Sequence, residues 1–122
     1  MSEYRQNRDG KTCVIWTRVS SRNPNRNEDL KQQMRRCEDY AYRNHYIVSR
    51  YFGAACEGDN LDRIVKELIN YVRTNDNVST LLVTGIDRFS RMQSRVEKIC
   101  YAIRMAGVRI IETKDKCRYD RV

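Results

Sequence analysis

Two short segments, Arg18-Val19-Ser20 and Asp87-Arg88-Phe89-Ser90-Arg91, hold the residue types needed to attack a phosphodiester. They offer a hydroxyl nucleophile in Ser20, guanidinium groups in Arg18, Arg88 and Arg91, and a carboxylate in Asp87. A serine hydroxyl can form a covalent intermediate. Arginine forks bind two phosphate oxygens at once and stay charged at any usable pH. Either segment alone is weak evidence, because short Arg-x-Ser and Asp-Arg strings are common by chance. The pair gains meaning only if the fold brings both to one crevice.

Each segment follows an apolar run. Thr12 to Thr17, with Cys13, Val14, Ile15 and Trp16, reads as a strand covered on both faces, and Ser79 to Thr84 reads the same way. Ile47 to Phe52 and Val108 to Ile111 read as two further strands. Between them lie three helical stripes. The first, Leu30, Met34, Cys37 and Ala41, follows a polar loop over 23–27 that holds the only proline, Pro24. Asn27 suits the cap of that helix, and the dipole favours Glu28 and Asp29 in its first turn. The second stripe is the cleanest, Leu61, Ile64, Val65, Leu68, Ile69 and Val72, and Asn75-Asp76-Asn77 breaks it. Val96, Ile99, Cys100 and Ile103 mark the third, ended by Gly107. Residues 53–60 are small and polar and read as a mobile loop.

The order β-α-β-α-β-α-β predicts an α/β domain: three α/β/α layers around a mainly parallel sheet of four to five strands. Ligands of such sheets bind beyond the carboxyl ends of the strands. Ser20 and the 87–91 segment both fall there. One domain over 12–113 is expected, with a flexible N-terminus over 1–11 and a polar tail over 114–122. The chain has 122 residues and no sign of repeats or of a second domain.

The 24 Lys and Arg residues against 16 Asp and Glu give a net charge of +8, which favours an anionic partner, most simply nucleic acid. Cys13, Cys37, Cys56, Cys100 and Cys117 form no CxxC pair, and His45 is the only histidine. That spacing argues against a zinc site and a disulfide framework, and for a reducing compartment. Cys13, Cys37 and Cys100 sit in apolar patterns and are expected in the core. No apolar run approaches a membrane span, and the first residues lack a signal-peptide core. A cytoplasmic, DNA-associated protein is expected.

The chain resembles the catalytic domain of the serine recombinases, the resolvase/invertase family. The resemblance rests on four pieces in order: Arg18-Val19-Ser20-Ser21, Leu30-x-x-Gln33 in the first helix, Asp87-Arg88-Phe89-Ser90-Arg91, and Ala106-Gly107-Val108 before the last strand. It runs from about Val14 to Ile111. It implies a site-specific recombinase that cleaves and rejoins double-stranded DNA through a 5′-phosphoserine on Ser20. No metal, ATP or other cofactor would be needed. Arg18, Arg88 and Arg91 match the arginines around the scissile phosphate. Gln33 matches a supporting polar residue, and Asp87 a carboxylate for proton transfer or for orienting an arginine. The resemblance also implies dimers and tetramers of the full-length protein.

Read without the resemblance, Arg18 is as readily a surface residue, Gln33 a solvated helix position, and Asp87 or Ser90 a cap. Tyr40, Tyr42, Tyr46, Tyr51 and Trp16 suit packing better than base stacking. The chain departs from the family in two places. The family usually has a Ser-Gly pair in the mobile loop and then an arginine opening the second helix. Here the loop reads Cys56-Glu57-Gly58-Asp59-Asn60-Leu61-Asp62-Arg63. Arg63 is the candidate for that arginine, although the apolar stripe registers better with Asp62 in its place. The family's long helix and DNA-binding domain are also missing after Val122. A fragment of a longer recombinase, inactive by itself, is the expectation. A truncated non-catalytic module for protein–protein regulation is the alternative.

Overall fold

The apolar run after Lys11 becomes β1, Thr12–Val19, and all eight of its residues are buried. The structure, a computed structural model, describes residues 11–113. The expectations for 1–10, for the 114–122 tail and for Cys117 lie outside the described residues. After β1 come α1 (Arg26–Arg43), β2 (Ile47–Ala55), α2 (Gly58–Thr74), β3 (Thr80–Val83), a 3₁₀ turn (Ile86–Arg88), α3 (Gln93–Met105) and β4 (Arg109–Glu112). The four strands form one sheet in the order β2-β1-β3-β4, and every pairing is parallel. This is the α/β architecture expected, with four strands.

β1 lies at the centre and is covered on both sides, which explains its unbroken apolar character. Its side chains alternate between two cores. Val14 and Trp16 join Leu81, Val83, Leu61, Leu68, Val72 and Ile103 under α2 and α3. Cys13 and Ile15 join Leu82, Cys37 and Ala41 under α1. Burial pushes the Cys13 thiol up to about 12, as befits an inert core residue. Cys37 and Cys100 are buried as expected, and so is Cys56. No helix among the described residues is long and apolar enough to cross a membrane.

The strand order reverses between β1 and β3: the chain leaves β1 toward β2 and leaves β3 toward β4. The crevice beyond the carboxyl ends at such a switch point is where open α/β sheets bind ligands. Ser20 directly follows β1, and the 3₁₀ turn carrying Asp87 and Arg88 follows β3. The two segments therefore flank the switch point.

Three local expectations are corrected. The supposed loop over 53–60 is mostly regular: β2 runs on through Gly53, Ala54 and Ala55, paired with Thr17, Arg18 and Val19, and α2 begins at Gly58. Small residues hid the strand, because nothing in Gly-Ala-Ala carries the β-branched signal. Asn27 is inside α1 rather than its cap. Asn23 Oδ1 instead accepts the Asn25 N–H at 2.8 Å, closing the polar loop on itself. Tyr42 is 85% exposed, so it is not a packing residue.

Gly53 adopts φ +110, and a Cβ there would lie 1.7 Å from the Thr17 carbonyl oxygen. Gly53→Ala is therefore expected to lose more than ~1 kcal/mol of stability, through both backbone strain and displacement of β2 from β1. Urea denaturation of the two proteins checks this, and an unchanged midpoint would contradict it.

Candidate active site

Arg18, next to last in the central strand, turns its guanidinium inward, and the residue is only 6% exposed. Its Nε donates to the Arg88 carbonyl at 3.0 Å and its Nη1 to the Cys56 carbonyl at 3.1 Å. One side chain thus joins β1 to the segment after β3 and to the segment after β2. Trp16, two residues earlier on the same face, donates its Nε1–H to the same Arg88 carbonyl at 2.9 Å and packs on Phe89 at 5.3 Å between ring centroids. Glu112, at the end of β4, accepts the Ile86 N–H at 2.8 Å and holds the 3₁₀ turn from the other side. Burial lowers the proton affinity of Arg18, and the neighbouring charges of Arg88 and Arg91 add to this. The three guanidinium groups named from the sequence are thus electrostatic neighbours.

Gln33 is buried on α1, and its role is specific. Beyond Ile15 the β1–β3 pairing stops. The Gln33 side-chain amide there pairs with the Arg18 backbone, accepting its N–H at 3.0 Å and donating to its C=O at 3.1 Å. It also donates to Asp29 Oδ1 at 3.2 Å, and that carboxylate lies 3.7 Å from Arg88 Nη2. Asp29, Gln33, Arg36, Thr84 and Arg88 line a polar hollow of about 160 Å³ beside the switch point. Gln33→Ala would leave both Arg18 backbone groups unpaired. A stability loss of ~1–3 kcal/mol is expected, because buried groups then keep their desolvation cost without a partner. Calorimetry checks this, and a loss below a few tenths would mean that water replaces the amide.

Ser20 Oγ donates to Glu57 Oε1 at 3.2 Å and accepts the Arg22 N–H at 3.1 Å. Ser21 Oγ donates to the other carboxylate oxygen, Oε2, at 2.8 Å. The Ser21 bond, then the Ser20 bond and the charges of Arg22 and Arg91, hold the Glu57 carboxyl below its ordinary range. Ser90 is a turn residue: it is buried, and its Oγ accepts the Met92 N–H at 3.1 Å.

The remaining candidates sit further out. Arg91 is exposed at the mouth, before α3. Asp87 is also exposed, and its carboxylate folds over Gly85, where a Cβ would meet Oδ1 at 2.7 Å. Arg63 points outward from α2 and pairs with Glu67 at 3.4 Å, one turn along the same helix. Asp62 faces α3 instead, bonded to Arg95. The structure brings together Ser20, Arg18, Arg88, Gln33 and the charge of Arg91. Arg63 is paired with Glu67, and its charge reaches the Cys56 thiol beside them. Asp29 and Glu57 were not singled out from sequence. Among the described residues no group of three or more His, Cys, Asp or Glu could hold a metal ion.

The family model for the resolvase N-terminal domain matches residues 13–121. Among solved structures, the C-terminal catalytic domain of ISC1926 TnpA, an IS607-like serine recombinase, is 28% identical. That match covers 84% of this chain and 70% of that one, with a TM-score of 0.69. The N-terminal catalytic domain of TP901-1 integrase is 23% identical over 86% of this chain and 79% of that one, with a TM-score of 0.72. A resolvase family site-specific recombinase from Streptococcus pneumoniae is 22% identical over 86% and 73% of the two chains, with a TM-score of 0.72. The last two likenesses are likenesses of fold. No curated protein matches the chain significantly.

Proposed function

The chain belongs to the resolvase N-terminal domain family, and from that premise we propose that Ser20 is the nucleophile of a DNA strand exchange centred on the β1–β3 crevice. The chain is a recombinase catalytic domain, and DNA is its substrate. In the proposed reaction Ser20 Oγ attacks the scissile phosphorus. The bond to the 3′ oxygen breaks, leaving a 5′-phosphoserine and a free 3′-hydroxyl. The bond energy stays in the protein–DNA ester, so rejoining needs no ATP. Arg88 and Arg91 would bind the non-bridging oxygens and the charge that builds on them. Arg18, with Nε and Nη1 used on carbonyls, keeps Nη2 for a phosphate oxygen.

The observation that carries this reading is the Arg18–Arg88 contact, which ties the two motifs into one preorganised site. Preorganisation matters because donors already aimed at the phosphate need no rearrangement in the transition state. Gln33 and Asp29 support Arg18 and Arg88 and serve positioning roles. Asp87 is proposed as the carboxylate that enters the site when DNA binds, and Arg63 as an outer arginine that reaches the DNA backbone. Self-association into dimers and tetramers is proposed for the strand-exchange complex, since two duplexes must be held together.

The test is cleavage of a supercoiled plasmid bearing the DNA that flanks the gene, with the protein at its natural length. After denaturation, the cut 5′ ends should carry protein and the 3′ ends should be free hydroxyls. Ends bearing a plain 5′-phosphate would contradict the reading.

A further inference from the structure

We propose that Glu57 is the general base that takes the proton from Ser20. The inference rests on Ser20 being the nucleophile and assigns a residue to the step that activates it. A serine hydroxyl is a poor nucleophile until a base removes its proton. The structural signature of such a pair is a base within hydrogen-bond reach, itself oriented by a third group. Ser20 has that arrangement. Its Oγ accepts from the Arg22 N–H, which turns the hydroxyl hydrogen toward Glu57 Oε1 at 3.2 Å. The third group is Ser21, whose hydroxyl donates to Oε2 at 2.8 Å and fixes the plane of the carboxylate.

Glu57 is half-buried, and its backbone is anchored. The Cys56 N–H donates to the Val19 carbonyl at 3.1 Å, and the Cys56 carbonyl accepts from Arg18 Nη1. The residue before Glu57 is therefore tied to β1 on both of its backbone groups. The residue after it, Gly58, takes φ +61 as the chain turns into α2. The anchor that aims Arg18 also sets the distance between Glu57 and Ser20.

The step balances simply. The Oγ–P bond forms, the P–O3′ bond breaks with its electron pair on O3′, and O3′ takes a proton from water, leaving a hydroxide that the buffer neutralises. The Ser20 proton passes to Glu57 Oε1, and in the reverse reaction Glu57 returns it. The charged and titratable groups facing Glu57 are Arg22 from the β1–α1 loop, Arg91 from before α3, Arg18 from β1, and the neighbouring Cys56 thiol.

The test does not need the DNA target. A fluorophosphonate probe reacts with an activated serine, forming the Oγ–P bond and releasing fluoride, and the modified peptide is identified by mass spectrometry. The wild-type protein should label at Ser20. Glu57→Gln keeps the shape and the position but should label roughly a hundredfold more slowly, the lower end of what a positioned base contributes. The pH profile separates a base from a structural support. Wild-type labelling should fall as acid protonates Glu57, and this limb should vanish in Glu57→Gln. In Ser21→Ala the carboxylate loses its largest stabilising bond, so its pKa rises and the limb moves to higher pH. Equal or faster labelling of Ser20 in Glu57→Gln would overturn the proposal while leaving Ser20 as the nucleophile. Label on Ser21 rather than Ser20 would instead overturn the nucleophile assignment on which the proposal rests.

Discussion

Ser20→Ala is expected to yield no covalent protein–DNA adduct, while Ser21→Ala and Ser90→Ala still form one. The expectation rests on where the three hydroxyls sit. Ser20 follows Arg18 across a single residue at the end of the central strand, beside the arginine-lined crevice. Ser21 is exposed and bonded only to Glu57. Ser90 is buried, with its oxygen turned to a backbone N–H, so it cannot approach DNA without unwinding its turn. Removing the attacking atom removes the intermediate itself, so no residual adduct should persist. A nicked duplex that traps the cleaved state, run on a denaturing gel, reads this directly. An adduct in Ser20→Ala at the wild-type level would refute the assignment.

Arg18→Lys and Arg88→Lys are expected to slow cleavage by roughly a hundredfold each, the ~3 kcal/mol typical of losing one preorganised donor to a developing charge. Charge is kept in both, so attraction to DNA should change little. Geometry is what is lost. At Arg18 a single ammonium cannot hold the Arg88 and Cys56 carbonyls and also reach a phosphate oxygen, so the segment after β3 should loosen as well. At Arg88 the fork that sits near Asp29 would be replaced by one point charge. Single-turnover cleavage of the trapped substrate measures the effect, with DNA binding as the control. Near-native rates for both would mean that the arginines only gather DNA electrostatically.

Much of this site could be read from the amino acids, for physical reasons that differ by element. β1 and β3 were legible because strands buried on both faces must be continuously apolar, and both read that way. The convergence of Ser20 with Arg88 followed from a topological rule, and the switch point lies where that rule needs it. Gln33 was legible only through the resemblance. Its amide pairs with a strand edge that β3 leaves open, a feature of register that no sequence pattern displays. The carboxyl end of β2 was hidden because Gly53, Ala54 and Ala55 carry no strand signal, and that error placed Glu57 in a supposed mobile loop. Arg63 was named from a family position, and the helix presents it to solvent and to Glu67 while turning Asp62 toward Arg95.

The most direct measurement of the central claim is the identity of the residue esterified to DNA. The adduct trapped on a nicked duplex is digested with nuclease and trypsin, and the modified peptide is fragmented. Trypsin leaves residues 19–22 as one peptide holding both Ser20 and Ser21, so fragmentation must separate the two. The phosphate linkage is predicted on Ser20 Oγ. A linkage on Ser21 or Ser90, or cleaved DNA with no residue attached, would contradict the account.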